Sequence, residues 1–149
     1  MSDIKDVLAR DNCRIVPRVA DWQEAIRVSC EPLLEGEYCT QDYVDAIFES
    51  TEKNGPYYVL CENLALIHAT NKVGVNGTQL AVTLLDEPVK FSPDGYDVRV
   101  LVAFAAVDSD SHIEGIKAIS KIFSSEEKTR RLLCATSPDE IYRVFIEAV

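Results

Sequence analysis

The pattern of apolar and polar positions predicts helices on either side of a strand-rich centre. Five apolar runs have the length and composition of strands, at residues 13–19, 57–61, 64–67, 78–85 and 98–107. The last run is almost entirely apolar, which favours a central strand that is buried on both faces. Pro17 favours a sheet edge or a bulge for the first run, and Pro88, with Asp86 and Glu87, predicts the end of the fourth.

Apolar residues at helical spacing predict helices over residues 3–10, 40–53 and 111–123, and three more that begin at Asp21, Ser124 and Ser137. Asp21, Ser111 and Ser124 each stand three residues before a glutamate, which is the pattern of a capping box. Pro138 occupies the favoured first position of the last helix. This order of elements, without a linker long enough to separate domains, predicts one α/β sandwich domain over residues 1–149.

The charge balance excludes two classes of partner. Fifteen basic residues face 25 acidic ones, so the formal net charge is −10 at pH 7. Binding to nucleic acid or to an anionic membrane requires a basic surface, and neither is predicted. The apolar runs are far shorter than the roughly 18 residues of a membrane span, and the first residues show no signal-peptide pattern. We therefore expect a cytoplasmic protein without membrane insertion.

Five cysteines are present, an odd number without the CxxC spacing of a zinc or redox site. In the cytosol, thiols of this kind are expected to stay reduced. Most of them are expected to pack as small apolar residues. They are Cys13, Cys30, Cys39, Cys61 and Cys134.

The two histidines of the chain stand at positions typical of functional groups in α/β folds. His68 follows the predicted strand at residues 64–67, and His112 lies in the predicted first turn of the helix after the strand at residues 98–107. Functional residues often collect where the strands of such sheets end, so both histidines are expected at one edge of the sheet. A purely structural role for either histidine is the alternative that the spacing leaves open.

The residue types favour a histidine nucleophile over other chemistries. A metal site needs three or four ligands at recognisable spacing, and the sequence contains no phosphate-binding GxxxxGK[ST] loop. A small hydrolase that combines Cys61 with His68 is an alternative, and it requires a thiol of lowered pKa. A neutral imidazole can instead attack phosphorus through one ring nitrogen. The start of the helix at Ser111 can donate backbone N–H groups to a phosphoryl group.

Residues 54–69, Asn-Gly-Pro-Tyr-Tyr-Val-Leu-Cys-Glu-Asn-Leu-Ala-Leu-Ile-His-Ala, resemble the active-site segment of phosphotransferase system (PTS) IIA components of the mannitol–fructose class. Within that class the ascorbate branch is the most similar. Residues 106–112, Ala-Val-Asp-Ser-Asp-Ser-His, resemble its second histidine segment. The resemblance covers essentially the whole chain. It implies an α/β sandwich with a mixed central sheet of about five strands flanked by helices.

The resemblance also implies a function. His68 would accept a phosphoryl group from the phosphocarrier protein HPr and pass it to a cysteine of a IIB component. The pathway would import a carbohydrate, either ascorbate-like or of the mannitol, fructose or galactitol type. His112 would stabilise the phosphohistidine, and Asp108, Asp110 and Ser111 are candidates to orient His112 or bind the phosphoryl group, with helix capping as their alternative role. No metal or other cofactor is implied, and a homodimer is left open.

Three positions depart from the pattern of the class. Ile67 stands where a proline usually precedes the active histidine, and Ala69 is followed by Thr70 instead of arginine. Residues 48–51 lack the arginine that the mannitol branch has near its site. With these changes around His68, the alternative function is a IIA-like regulatory module that binds partner proteins according to its phosphorylation state.

Overall fold

The computed structural model describes residues 4–69, 73–107 and 109–148, except for the side chains of residues 109–112, 114 and 115. Within these ranges the chain forms six helices and five strands. In chain order they are α1 (Ile4–Val7), β1 (Leu8–Val16), α2 (Trp22–Glu35), α3 (Gln41–Asn54), β2 (Val59–Cys61), β3 (Asn63–Ile67), β4 (Gln79–Lys90), β5 (Asp97–Ala105), α4 (Ser109–Phe123), α5 (Glu126–Leu133) and α6 (Pro138–Glu147).

The five strands found in the described ranges form one mixed sheet in the order β1-β4-β5-β3-β2. β1 runs parallel to β4 and β3 runs parallel to β5, whereas the pairs β4–β5 and β2–β3 are antiparallel. β5 is the central strand, and its residues 100–105 are all buried, because helices cover both faces. The mixed five-stranded sheet flanked by helices confirms the predicted fold class.

Helices cover the two faces of the sheet with separate cores. On one face, α2 and α3 bury Ile26, Leu33 and Ile47 against the strands. On the other face lie α1, α4, α5 and α6, and there Ile122 and Phe145 are fully buried. Because alternate residues of a strand point to opposite faces, every inner strand contributes apolar side chains to both cores. No helix of the described ranges combines the length and the apolar character needed to cross a bilayer.

The capping patterns of the sequence locate some helix starts and misplace others. Asp21 caps α2 and Ser137 caps α6, each by accepting a hydrogen bond from the N–H three residues further on, at 2.9 and 3.3 Å. The predicted start at Ser124 is wrong by one residue, because Ser125 accepts the corresponding bond of α5 at 3.2 Å. A side-chain acceptor at each of these positions satisfies an N–H that the helix itself leaves unpaired.

Two strand boundaries differ from the prediction by five residues, and the others by at most three. β1 begins at Leu8, within the segment predicted as a helix, so α1 is only one turn long. β4 continues to Lys90, and the predicted end at Pro88 is therefore wrong. The pairing of β4 with β5 has a register shift between Leu84 and Val89, so Pro88 lies in an irregular part of the ladder. A residue without an N–H is tolerated at such a bulge.

Gly55 ends α3 in a backbone conformation that other residues adopt only with strain, with φ 78° and ψ −179°. We expect Gly55→Ala to lower the free energy of unfolding by about 1–3 kcal/mol, measured by urea denaturation. The loss would come from backbone strain, since the added methyl group meets no described atom within 4 Å beyond the neighbouring residues. Gly77→Ala is the matched control, because Gly77 has no positive φ and its nearest described contact would be an ordinary 3.4 Å. Equal losses in the two variants would contradict the strain argument.

Candidate functional site

His68 lies at the edge of the sheet where β3 ends. Ile67, the last residue of β3, pairs in parallel register with Ala103 of β5, so the two strands leave the sheet at the same edge. α4, which carries His112, begins at Ser109 shortly after β5 ends. The chain segments that contain the two histidines therefore leave the sheet at the same edge. The first turn of α4, with its N–H groups, follows β5 at this edge.

The imidazole of His68 has a defined tautomer. Its Nδ1 lies 2.6 Å from the backbone carbonyl oxygen of Leu66. Because a carbonyl oxygen can only accept a hydrogen bond, Nδ1 carries the hydrogen and the lone pair of the neutral ring is on Nε2. The half-buried His68 side chain thus has Nε2 as its nucleophilic nitrogen.

Tyr57 contacts both the ring and the backbone of His68. The two rings meet edge to face, with centroids 5.4 Å apart and planes at 88°. The Tyr57 hydroxyl donates to the His68 carbonyl oxygen at 2.5 Å. Burial raises the pKa of Tyr57, and a hydrogen bond with the Ser50 side chain partly opposes this rise. The phenol therefore keeps its hydrogen at neutral pH and can donate it to the carbonyl.

Tyr43 of α3 binds the residue that follows His68. The Ala69 N–H donates to the Tyr43 hydroxyl at 3.3 Å, and this hydroxyl donates to the Phe104 carbonyl oxygen of β5 at 2.5 Å. Burial raises the pKa of Tyr43 far above its usual range, so its hydroxyl also stays protonated.

Sequence reasoning missed Tyr43, Tyr57 and Ser50 as parts of this site. Tyr43 stands at an apolar-face position of α3, where an aromatic residue predicts only packing. Ser50 falls on the same helix, in the stretch that was notable only for lacking an arginine. Tyr57 belongs to the Gly-Pro-Tyr segment of the family resemblance, and that segment is the one signal that could have singled it out.

The remaining predicted site residues fall at the start of α4. Asp110, Ser111 and His112 are among its first four residues, since the helix begins at Ser109. The prediction that Ser111 caps this helix is therefore wrong, because Ser111 is already inside it. The side chains of these three residues lie outside the described part of the chain, and Asp108 lies outside it entirely.

The departures from the class pattern have structural counterparts. Ile67, which replaces the usual proline, is fully buried and paired with Ala103, so the sheet fixes the chain up to the residue before His68. In the stretch without arginine, Ser50 is hydrogen-bonded to Tyr57. Helix α3 thus supports the site through uncharged hydroxyl groups.

Cys61 does not fit a hydrolase site. Its Cα pairs with that of Leu64 near the start of β3, which puts it about 13 Å from His68 along the strand at 3.3 Å per residue. Burial, together with the charge of Glu62, raises the pKa of the Cys61 thiol, whereas a nucleophilic thiol needs a lowered pKa. The alternative of a hydrolase that uses Cys61 and His68 is therefore wrong.

The other four cysteines form no disulfide, and most of them pack in the core as predicted. Burial raises the pKa of Cys13 and of Cys30 to about 12, and that of Cys39 to about 11, so these thiols stay protonated at neutral pH. Cys134 is exposed. Among the residues that the structure describes, no three His, Cys, Asp or Glu side chains gather into a group that could hold a metal ion.

Comparison with known proteins agrees with this geometry. Residues 6–148 match the family model described as "Phosphoenolpyruvate-dependent sugar phosphotransferase system, EIIA 2". The ascorbate-specific PTS system EIIA component of Escherichia coli (strain K12) is 32% identical over 141 residues, which cover 93% of this chain and 92% of that protein.

Two solved structures have the same fold. The solution structure of the mannitol-specific cryptic phosphotransferase enzyme IIA CmtB from Escherichia coli has a TM-score of 0.87 and 33% identity, and the match covers 98% of this chain and 99% of that one. A complex of enzyme IIAMTL and phosphorylated enzyme IIBMTL from Escherichia coli matches with a TM-score of 0.78 and 28% identity, covering 91% of this chain and 95% of that one.

The chain therefore belongs to the EIIA 2 family of the phosphoenolpyruvate-dependent sugar phosphotransferase system. Proteins of this family are phosphotransferase components of sugar transport. The predicted resemblance to the mannitol–fructose class is confirmed. The comparisons do not single out the ascorbate branch within it, because a mannitol-specific cryptic phosphotransferase enzyme IIA component of Escherichia coli (strain K12) is 35% identical over 138 residues.

Proposed function

We propose that this chain is a phosphohistidine carrier of a sugar phosphotransferase system and that His68 carries the phosphoryl group. The main support is the hydrogen bond from His68 Nδ1 to the Leu66 carbonyl oxygen, at 2.6 Å. This bond leaves the lone pair of the neutral ring on Nε2, which is the state that a nucleophile requires. The histidine that has this tautomer stands at the sheet edge of a chain of the EIIA 2 family.

In the first step, Nε2 of His68 attacks the phosphorus of phosphorylated HPr, in line with the N–P bond of its phosphohistidine. The new Nε2–P bond forms as the old N–P bond breaks, and the electron pair of that bond returns to the donor histidine. Nδ1 keeps its hydrogen and its bond to Leu66, so the phosphorylated ring keeps the orientation of the neutral one. Positioning and electrostatic stabilisation supply most of the rate.

In the second step, the thiolate of a IIB cysteine attacks the same phosphorus. The Nε2–P bond breaks, its electron pair returns to His68, and the IIB cysteine becomes a phosphocysteine. The similarity to enzyme IIAMTL, whose structure was solved in complex with phosphorylated enzyme IIBMTL, supports a IIB partner for this chain.

The start of α4 is the proposed binding site for the phosphoryl oxygens. A helix N-terminus stabilises an anion through its unpaired N–H groups and its dipole. Ser111 and His112 would add side-chain donors, and Asp110 would hold one of these donors in place by accepting a hydrogen bond. The support is their position among the first four residues of α4, which begins at the same sheet edge as His68.

Exposed apolar residues near the site suit the transient docking of HPr and of the IIB component. Val73, Val107 and Ile113 are 52%, 46% and 46% exposed. Val73 stands five positions after His68 in the chain, and Val107 and Ile113 stand before and after the start of α4. Protein interfaces commonly combine such an apolar centre with a polar rim.

The carbohydrate is proposed from the relatives alone. The candidates are an ascorbate-like compound and a mannitol-type sugar, because relatives specific for ascorbate and for mannitol match almost the whole chain. A phosphocarrier need not bind the sugar, so its own side chains do not select among these compounds. We further propose that residues 1–149 act as one domain in the cytoplasm.

Phosphoryl uptake through the complete donor pathway tests the proposed function. The purified chain is incubated with phosphoenolpyruvate, enzyme I and HPr, and the product is analysed by intact mass and by its stability in acid and base. We expect one phosphate per chain that is labile in acid and stable in base, as an N–P bond is. The reaction without HPr is the control and should give no product. An acid-stable phosphate, or uptake that does not require HPr, would contradict the proposal.

A further inference from the structure

The peptide unit that joins His68 to Ala69 is held at both of its polar groups by tyrosine hydroxyls. Tyr57 donates to the His68 carbonyl oxygen at 2.5 Å, and the Ala69 N–H donates to Tyr43 at 3.3 Å. The two tyrosines come from separate segments, because Tyr43 lies in α3 and Tyr57 in the turn before β2. The plane of this peptide cannot rotate without loss of both hydrogen bonds.

The Tyr43 hydroxyl has one hydrogen, and the geometry defines the acceptor of its hydrogen bond. Since the oxygen accepts from Ala69, the hydrogen is donated to the Phe104 carbonyl oxygen, at 2.5 Å. Phe104 stands one residue before the end of β5, from which the chain continues to α4. The buried Tyr43 side chain therefore ties the segment of His68 to the strand end that leads to His112.

Tyr57 restrains the imidazole as well as the backbone. Its ring packs edge to face on the ring of His68, at a centroid distance of 5.4 Å. Because the hydroxyl hydrogen of Tyr57 goes to the His68 carbonyl oxygen, Ser50 is the donor in its hydrogen bond with this phenol. Helix α3 thus holds Tyr57 through Ser50, and Tyr57 in turn limits the rotation of the His68 side chain.

In-line transfer depends on this orientation. The reacting atoms must come within about 3–3.5 Å with aligned orbitals, and a displacement of about 1 Å can cost roughly 10²-fold in rate. Before His68, the chain is held in the sheet, because Ile67 pairs with Ala103 of β5. After His68 the chain leaves the sheet, where backbone is ordinarily more mobile, and there the two tyrosines supply the hydrogen bonds.

We propose that Tyr43 and Tyr57 are positioning residues that aim Nε2 of His68 for phosphoryl transfer. This inference rests on the proposed role of His68 as the phosphoryl acceptor. Neither hydroxyl touches the phosphoryl group; both act through the peptide after His68, and Tyr57 acts through its ring as well. Removal of either hydroxyl lets the peptide rotate, so a smaller fraction of His68 has the reactive orientation. The surface that meets HPr is unchanged.

Three single substitutions in the full chain test the inference: Tyr43→Phe, Tyr57→Phe and, as the matched control, Tyr58→Phe. Tyr58 is adjacent to Tyr57 and fully buried, but its hydroxyl is hydrogen-bonded to Thr51 at 2.8 Å. With phosphorylated HPr as the varied donor, we expect kcat for phosphoryl uptake to fall about 10- to 100-fold in Tyr43→Phe and Tyr57→Phe. KM for phosphorylated HPr should stay within about twofold, because docking is not altered. Tyr58→Phe should keep the wild-type kcat.

Nuclear magnetic resonance of ¹⁵N-labelled protein gives a readout that does not depend on turnover. We expect the Ala69 amide hydrogen to exchange faster in Tyr43→Phe, because its acceptor is lost. We expect the ring nitrogen signals of His68 to shift toward a mixture of tautomers or orientations in Tyr57→Phe. Both signals should match the wild type in Tyr58→Phe. If Tyr57→Phe fails to fold, Ser50→Ala is the second variant, since it loosens the phenol and leaves its hydroxyl in place.

The outcomes separate this inference from the proposed function. Wild-type kcat together with unchanged His68 and Ala69 signals in the Tyr43 and Tyr57 variants would overturn the positioning role, and so would an equal loss of kcat in Tyr58→Phe. Normal phosphate uptake by the wild type in the same experiment would leave the proposed function intact. If the wild type took up no phosphate, the proposed function would fail, and the role in transfer proposed for the tyrosines would fail with it.

Discussion

His68→Ala is expected to take up no phosphate from phosphorylated HPr, which corresponds to a fall of at least about 10³-fold in rate. Alanine offers no lone pair to phosphorus, so the Nε2–P bond cannot form. The backbone bond from Tyr57 to the carbonyl oxygen of residue 68 does not need the imidazole, and the side chain is only half-buried. The variant should therefore fold, and circular dichroism with urea denaturation would verify this before the labelling experiment.

His112→Ala is the comparison variant for this experiment. It keeps the nucleophile and removes one proposed donor to the phosphoryl oxygens. Loss of a single such donor typically costs about 10²–10³-fold in rate. We expect it to be labelled at His68, with onward transfer to the IIB cysteine slowed by about 10²-fold. Transfer is measured by the decay of the labelled chain after addition of the IIB component.

Normal labelling of His68→Ala would overturn the site assignment, whatever the family of the chain. Labelling of His112→Ala with onward transfer at the wild-type rate would remove His112 from the mechanism but would keep His68. Loss of labelling in both variants with the fold intact would indicate that the two histidines are equally essential to phosphoryl uptake.

The sequence predicts the layout of the fold well where burial decides it. The apolar run at residues 98–107 becomes β5, the middle strand, because a strand with helices on both faces has no polar side. Asp21 caps α2 as predicted, because a capping bond joins residues only three positions apart. The same pattern misplaces the helix start at Ser111 and at Ser124, since α4 begins at Ser109 and Ser125 caps α5.

The predictions fail where distant elements decide the structure. Pro88 predicts a strand end, yet β4 continues through it because its pairing with β5 has a register shift between Leu84 and Val89. That irregularity is a property of the sheet and leaves no local trace in the sequence. The bonds of Tyr43 to Ala69 and Phe104 span 26 and 61 positions. A single sequence cannot reveal them, so the histidine of the site could be predicted but the groups that hold it could not.

Phe145→Ala is expected to cost about 3–5 kcal/mol of the free energy of unfolding. Phe145 of α6 is fully buried in the core on the face that α6 shares with α1, α4 and α5. Truncation removes the transfer free energy of the ring and leaves a cavity that close-packed neighbours fill only in part. Because native proteins of this kind are stable by only about 5–15 kcal/mol, this single change removes a large share of the total.

Tyr142→Ala on the same helix is the control, since Tyr142 is only partly buried against the same core. Urea denaturation should show less than half the loss of unfolding free energy for this variant, although both variants gain the same helix-favouring alanine.

Phosphate uptake by Phe145→Ala shows whether the lost stability also changes activity. His68 is held by hydroxyl groups of α3 and the turn before β2, and α3 packs on the opposite face of the sheet from Phe145. Folded Phe145→Ala should therefore still take up phosphate on His68, and a fall in the rate would point to α4, which shares the core of Phe145. A loss below about 1 kcal/mol, or equal losses in both variants, would contradict the role of Phe145 as a main contributor to the core beneath α6.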